Sequence, residues 1–149
     1  MNRPVTAIIV VLPFLPTSLQ VSIMPSVLVV DDSMLIRHAV CRFFEDRGFR
    51  VESAANGAEA VEMLTHFRPD IIITDVQMPK MDGSQLIDQL KRDAHTSGIP
   101  IVVLAGRKNG PESITGIRAD YLIYKDIDIA GQLQHVLEMA LPRFGSSQD

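Results

Sequence analysis

The feature that most constrains this chain is a set of short, unbroken apolar runs, each ending abruptly. Val27-Leu28-Val29-Val30 stops at Asp31-Asp32-Ser33, and Ile71-Ile72-Ile73 stops at Thr74-Asp75. The run over residues 99–104 stops at Ala105-Gly106, and the run over 121–124 stops at Lys125. Runs this short and this continuous suit strands buried on both faces. Residues 49–54 alternate apolar and polar instead, as an edge strand does. Stretches with helical spacing lie between the runs. Ser33 is a natural N-cap for a helix to about Arg47, with Ile36, Val40, Phe43 and Phe44 along one side and Gly48 as its stop. Asn56-Gly57 is expected to turn the chain before a helix that faces inward with Ala60, Val61, Leu64 and Phe67. Leu86, Ile87 and Leu90 mark a third helix, and Pro111 opens a short fourth that ends near Arg118. Ile129, Leu133, Val136, Leu137 and Ala140 mark a last helix, ended by Pro142. Strand followed by helix, over and over, predicts an α/β fold: a parallel sheet with helices on both faces, joined by right-handed crossovers.

The 149 residues suffice for one domain with a core, and 46% hydrophobic with 21% charged residues is a globular balance. A net charge of −4 argues against a nucleic-acid clamp, which needs a basic face. The lone cysteine, Cys41, excludes an internal disulfide and a cysteine-based zinc site. No apolar run approaches the roughly 20 residues that cross a bilayer, so no membrane partner is expected. Residues 1–24 differ from the rest: Arg3 precedes an apolar stretch over 7–15 that is interrupted by Pro13. A signal peptide or anchor is one reading, against which stand the single cation, the proline and the lack of a small-residue cleavage pattern. A loosely packed extension and a start of translation at Met24 are the others. Residues 1–24 are expected outside the domain, 25–142 form it, and 143–149 are a frayed tail of a cytoplasmic protein.

The charges fall at informative places. Asp31 and Asp32 follow the first strand, Asp75 ends the third, and Lys125 follows the fifth. In an open parallel sheet the strand C-termini share one edge, where ligands bind. Any single aspartate after a strand is more often a cap or turn residue; four such residues at strand ends are a poor fit to coincidence. Carboxylates brought together repel and resist desolvation, and a hard cation such as Mg²⁺ relieves that while leaving room for a phosphate oxygen. A carboxylate beside such an ion and a lysine can act as a nucleophile toward a phosphoryl group.

The pieces Val29-Val30-Asp31-Asp32-Ser33, Asp75-Val76-Gln77-Met78-Pro79-Lys80-Met81-Asp82-Gly83 and Lys125 together resemble the receiver domain of response regulators. The resemblance runs from Val27 to about Leu141, and the Asp-x-x-Met-Pro-x-Met-Asp-Gly block is highly specific. It implies a flavodoxin-like, doubly wound five-stranded sheet of order 2-1-3-4-5. It implies Asp75 as phosphoacceptor, with Asp31, Asp32, Asp75 and the Gln77 backbone carbonyl holding Mg²⁺, and Lys125 contacting the phosphoryl group. The donor is expected to be a phosphohistidine on a sensor histidine kinase or a histidine phosphotransfer protein. The resemblance implies a phosphoacceptor domain and not an enzyme, although family members promote their own phosphotransfer and dephosphorylation. Few residues follow the last helix, so action is expected through a downstream protein target. The face of the fourth helix, fifth strand and fifth helix is the family's docking and homodimer surface.

Three positions depart from the family pattern. Ala105 stands where the family has Thr or Ser, whose hydroxyl bonds the phosphoryl oxygen. Leu122 stands where an aromatic switch residue is usual; Tyr121 and Tyr124 flank it and are expected on the opposite face. Asp126 follows the lysine where the family has proline with a cis bond, so the Lys125–Asp126 bond is expected to be trans in at least part of the population. These departures motivate an alternative, a pseudo-receiver that binds partners without phosphorylation. A haloacid-dehalogenase-like phosphatase needs a second aspartate where Gln77 stands, and a dinucleotide site needs glycines where Asp31-Asp32 stands. Gln77 and Arg107 occupy positions that flank the attacking water in the family. Cys41 reads as a packing residue, and His38, His66, His95 and His135 lack ligand spacing.

Overall fold

A computed structural model describes residues 24–77, 83–106 and 117–142. In chain order these form β1 (Ser26–Val30), α1 (Met34–Glu45), β2 (Arg50–Ala54), α2 (Gly57–Met63), β3 (Ile71–Asp75), α3 (Gly83–Arg92), β4 (Ile101–Ala105), β5 (Tyr121–Tyr124) and α4 (Ile129–Ala140). The sheet is parallel with order β2-β1-β3-β4-β5. The predicted helix after Pro111 and the loop Met78-Pro79-Lys80-Met81-Asp82 lie in or across segments outside the described residues, as do Arg107, residues 1–23 and the tail over 143–149. The helix expected as fifth is therefore α4.

Burial follows the apolar runs. Every residue of β1, β3 and β4 is buried, whereas β2 and β5 at the edges are partly open. Alternation sends successive residues to opposite faces. Leu28, Val30, Ile72 and Val103 pack with Leu86, Ile87 and Leu90 of α3 and Ala60 of α2. Val27, Val29, Ile73 and Leu104 pack with Val40, Phe43 and Phe44 of α1 and Leu133, Val136 and Leu137 of α4. Two cores thus sandwich the sheet and fix its upper edge as a rigid rim.

Local signals set the ends of the elements. The Ser33 hydroxyl accepts the Ile36 amide at 3.3 Å, and Gly48, at φ 84°, takes the left-handed turn after α1. The chain bends at residues 55–56 and runs directly into α2. Asn56 is the N-cap of α2: its Oδ1 accepts the Glu59 amide at 2.9 Å, while the Glu59 carboxylate reaches back to the Ala55 amide. Two orphan donors are satisfied at once, which a turn would leave open. β4 begins at Ile101 and not at 99, because Pro100 has no amide to enter the ladder. Leu141, at φ −135°, is extended ahead of Pro142 and closes α4.

Candidate functional site

The register brings the acidic residues together. Val30 pairs with Thr74 across β1 and β3, so Asp31 and Asp75 stand side by side at the rim. Asp31 is fully buried and Asp75 is 4% exposed, while Asp32 is exposed. One carboxylate oxygen from each of Asp31, Asp32 and Asp75 can be chosen so that all lie within 4.8 Å of one another. Lys125 follows β5, two strands from β3, and its long side chain bridges the gap. Its Nζ lies 3.0 Å from Asp75 Oδ1 and 3.1 Å from Asp31 Oδ2.

Backbone and side-chain donors aim these carboxylates. Asp31 Oδ1 accepts the Ser33 amide at 2.8 Å, and the Arg37 guanidinium donates to the Asp31 carbonyl at 2.6 Å. Asp75 Oδ1 accepts the Val76 amide at 2.7 Å and the Gln77 amide at 3.4 Å. These donors and Lys125 converge on one oxygen of Asp75, and Oδ2 receives none of them. The Lys125 contact to Asp31 Oδ2 is an ion pair without hydrogen-bond alignment, and that buried oxygen has no hydrogen-bond partner among the described residues.

The electrostatics match a site built for a cation. Burial, first, raises the Asp31 pKa above its ordinary range, against the pull of the Ser33 amide and Lys125. Burial also raises that of Asp75, reinforced by the Asp31 charge and opposed by Lys125. For Lys125 burial works against the ammonium, but Asp31 and Asp75 outweigh it and the pKa goes up. The carboxylates carry more negative charge than one lysine offsets. A buried Asp31 oxygen met only by the Lys125 charge and three hard carboxylate donors fit Mg²⁺.

A family model, the response regulator receiver domain, matches residues 27–137. The chain belongs to the response-regulator receiver family. Among curated relatives, the response regulator Rre1 of Synechocystis sp. is 35% identical over 127 residues, covering 83% of this chain and 54% of Rre1. The response regulator MprA of Mycobacterium ulcerans is 38% identical over 99 residues, covering 64% of this chain and 42% of MprA. The chain thus spans about half the length of the curated relatives it matches. The chemotaxis response regulator CheY4 of Vibrio cholerae superimposes with a TM-score of 0.70 at 31% identity, covering 79% of this chain and 99% of CheY4. The signal receiver domain of a histidine kinase from Syntrophus aciditrophicus gives 0.73 at 30% identity, covering 84% and 94%. The fold class and the family expected from the sequence are both correct, and receiver domains work in two-component signalling with histidine kinases and downstream targets. No helix among the described residues is long and apolar enough to cross a membrane.

The receiver's departures take structural form. Ala105 is buried at the end of β4, and its carbonyl accepts the Lys125 amide at 2.9 Å. Leu122 is 38% exposed. The expectation that Tyr121 and Tyr124 share a face is wrong. Tyr121 packs on the α1/α4 side and Tyr124 on the α2/α3 side, because residues three apart in a strand point oppositely. Tyr124 shares the Leu122 face. No peptide bond among the described residues is cis, so Lys125–Asp126 is trans. Cys41 is half-buried against the α1/α4 core, and burial pushes its thiol pKa up, as suits a packing residue. His38, His66, His95 and His135 are exposed and stand outside the site. Arg37 was missed in the sequence; its signal is its place on the first exposed turns of α1, within reach of the Asp31 carbonyl.

Proposed function

We propose that this receiver takes a phosphoryl group from a phosphohistidine onto Asp75 and acts through protein contacts. In this reading Asp31, Asp32, Asp75 and the Gln77 backbone carbonyl hold Mg²⁺, and Lys125 contacts the phosphoryl group. Residues 25–142 make up the domain, with 1–24 and 143–149 outside it. The partners are a sensor histidine kinase or a histidine phosphotransfer protein, and a downstream protein target; the protein then works in the cytoplasm, where such kinases present their phosphohistidine.

The observation that carries the reading is the three-carboxylate cluster with Lys125 bridging Asp31 and Asp75. A carboxylate oxygen of Asp75 attacks phosphorus; the P–O bond forms as the P–N bond breaks, its electron pair goes to that nitrogen, and the donor imidazole, already protonated on its other ring nitrogen, leaves neutral. Donors on Asp75 Oδ1 fix the carboxylate and leave Oδ2, which receives none of them, as the oxygen to attack. Lys125, already between the two carboxylates, places a positive charge where the phosphoryl oxygens gain negative charge. Mg²⁺ held by Asp31, Asp32, Asp75 and the Gln77 carbonyl would supply further charge neutralisation on those oxygens. Met34 and Leu35, 74% and 79% exposed, follow the acidic turn directly and offer apolar surface to an incoming protein donor.

Ala105 favours a second statement within this reading. Without a hydroxyl it cannot bond the phosphoryl oxygen, and a hydrogen bond to a charged group is worth about 1.5–3 kcal/mol. Phosphorylation then couples weakly to conformation, which is the one feature shared with a pseudo-receiver. Incubation with Mg²⁺ and acetyl phosphate, followed by intact mass, separates the two. One phosphoryl adduct, absent in Asp75→Asn and absent without Mg²⁺, is expected. No adduct with either acetyl phosphate or a phosphorylated histidine donor would establish the pseudo-receiver instead.

A further inference from the structure

The trans Lys125–Asp126 bond raises the question of what aims the lysine in this chain. The loop leaves β5 at Tyr124 and enters α4 at its N-cap, Asp128. One side chain touches the loop on both sides of that bond. Gln132, half-buried on the first turn of α4, accepts the Tyr124 amide at Oε1, 3.0 Å away, and donates from Nε2 to the Tyr124 carbonyl at 2.8 Å. The same Nε2 donates to the Ile127 carbonyl and lies 3.5 Å from that of Asp128.

The geometry is that of an added rung. Lys125 donates its amide inward to Ala105 of β4, so the backbone of the residue before it faces the outer edge of β5. No described strand lies beyond that edge. The Gln132 carboxamide, a donor and an acceptor in one plane, supplies the pair of bonds that a neighbouring strand would. Its own place is fixed by the cap next to it: Asp128 Oδ1 accepts the Gly131 amide at 3.0 Å. A Cβ at Gly131 would meet Asp128 Oδ2 at 2.1 Å, so glycine there leaves room for the capping carboxylate.

We propose that Gln132 is the positioning residue for Lys125, gripping Tyr124 before it and Ile127 after it so that the ammonium reaches Asp31 and Asp75 from an all-trans loop. This rests on the reading of Lys125 as the group that contacts the phosphoryl. Gln132 itself touches neither carboxylate; it acts through the backbone.

A double-mutant cycle tests the assignment. Initial rates of phosphorylation by acetyl phosphate at saturating Mg²⁺ are compared for the parent, Gln132→Leu, Lys125→Ala and the double variant. Misplacing a positioned group costs up to roughly 10²-fold in rate. Gln132→Leu is expected to slow the parent about tenfold or more, on that scale, yet to leave the Lys125→Ala rate unchanged. Equal slowing in both backgrounds, or none in the parent, would overturn the proposal. Gln132→Glu keeps the acceptor for Tyr124 but cannot donate to the carbonyls. It is expected to slow the reaction in the same direction and keeps the test open if the leucine variant fails to fold. A second readout needs no phosphorylation: the Lys125 ¹³Cε–¹Hε NMR signal of the metal-free protein. It is expected to stand apart from the exposed lysines in the parent and to move toward them in both Gln132 variants. A parent that takes no phosphoryl group while this signal moves would sink the functional reading and keep the positioning role. An unmoved signal would end the positioning role whatever the parent does.

Discussion

Asp31 and Asp75 are held where their charges are least comfortable: buried, adjacent, and sharing one lysine. Their raised pKa values mean that the fold disfavours their ionised forms, first through burial. The stability they contribute is therefore fully present below the ordinary carboxylate value of 3.8 and is lost as pH rises through the raised values. Lys125 runs the other way in range. Its pKa lies above 10.5, so its contribution is intact at neutral pH and is lost only in strong base. At pH 7 the two carboxylates are thus a net cost to the metal-free fold that Lys125 offsets only in part. Asp75→Asn removes one buried charge and should stabilise the metal-free protein at pH 7, by about 1.4 kcal/mol for each unit that the fold raises this carboxyl. The gain should shrink on acidification as the parent carboxylate takes up its proton. Thermal unfolding at a series of pH values without Mg²⁺ measures it; destabilisation at neutral pH would show that Asp75 is held mainly by its donors. These residues were the most legible part of the sequence, since each ends an apolar run and parallel topology collects run ends on one rim. Their electrostatic balance was not legible, because it depends on which oxygen each donor meets.

At the scale of elements, caps do more than the helix interiors reveal. Asn56-Gly57 has the composition of a turn, yet the Glu59 three residues on converts it into an N-cap with a returning carboxylate. Asn56→Ala should cost about 1 kcal/mol. Gly48→Ala should cost about 1–2 kcal/mol through its left-handed φ alone, since a Cβ there meets nothing within 4 Å. Urea unfolding measures both, with an unchanged denaturant slope expected; a null result for Gly48→Ala would mean that the turn relaxes to negative φ. The strands were legible because buried β1, β3 and β4 are each built on an unbroken apolar run, and the edge strand β2 was legible by its alternation. The start of β4 was read two residues early, since Ile99 is buried like the strand but precedes a proline that cannot enter the ladder. Gln132 carried no signal at all: a polar residue among apolar ones on a helix looks solvated, and only the fold shows it lying along the open edge of β5.

Across the whole molecule, two cores pack against the two faces of the sheet, and the ends of β1, β3 and β5 bring Asp31, Asp75 and Lys125 together at one rim. The hydroxyl-free Ala105 ends β4, which lies between the strands that carry Asp75 and Lys125, and under the proposed function it weakens the link between phosphorylation and conformation. Ala105→Thr should enlarge the change in backbone amide NMR shifts on phosphorylation; equal changes in parent and variant would show that the signal leaves by another route. The central claim is that Asp75 is the phosphoacceptor, and it is tested most directly by chemical mapping. After reaction with acetyl phosphate and Mg²⁺, borohydride reduction converts an aspartyl phosphate to homoserine, which peptide mass spectrometry locates. Homoserine at position 75, dependent on Mg²⁺, is the expected result. An unreduced Asp75, or homoserine at Asp31 or Asp32 in its place, would contradict it.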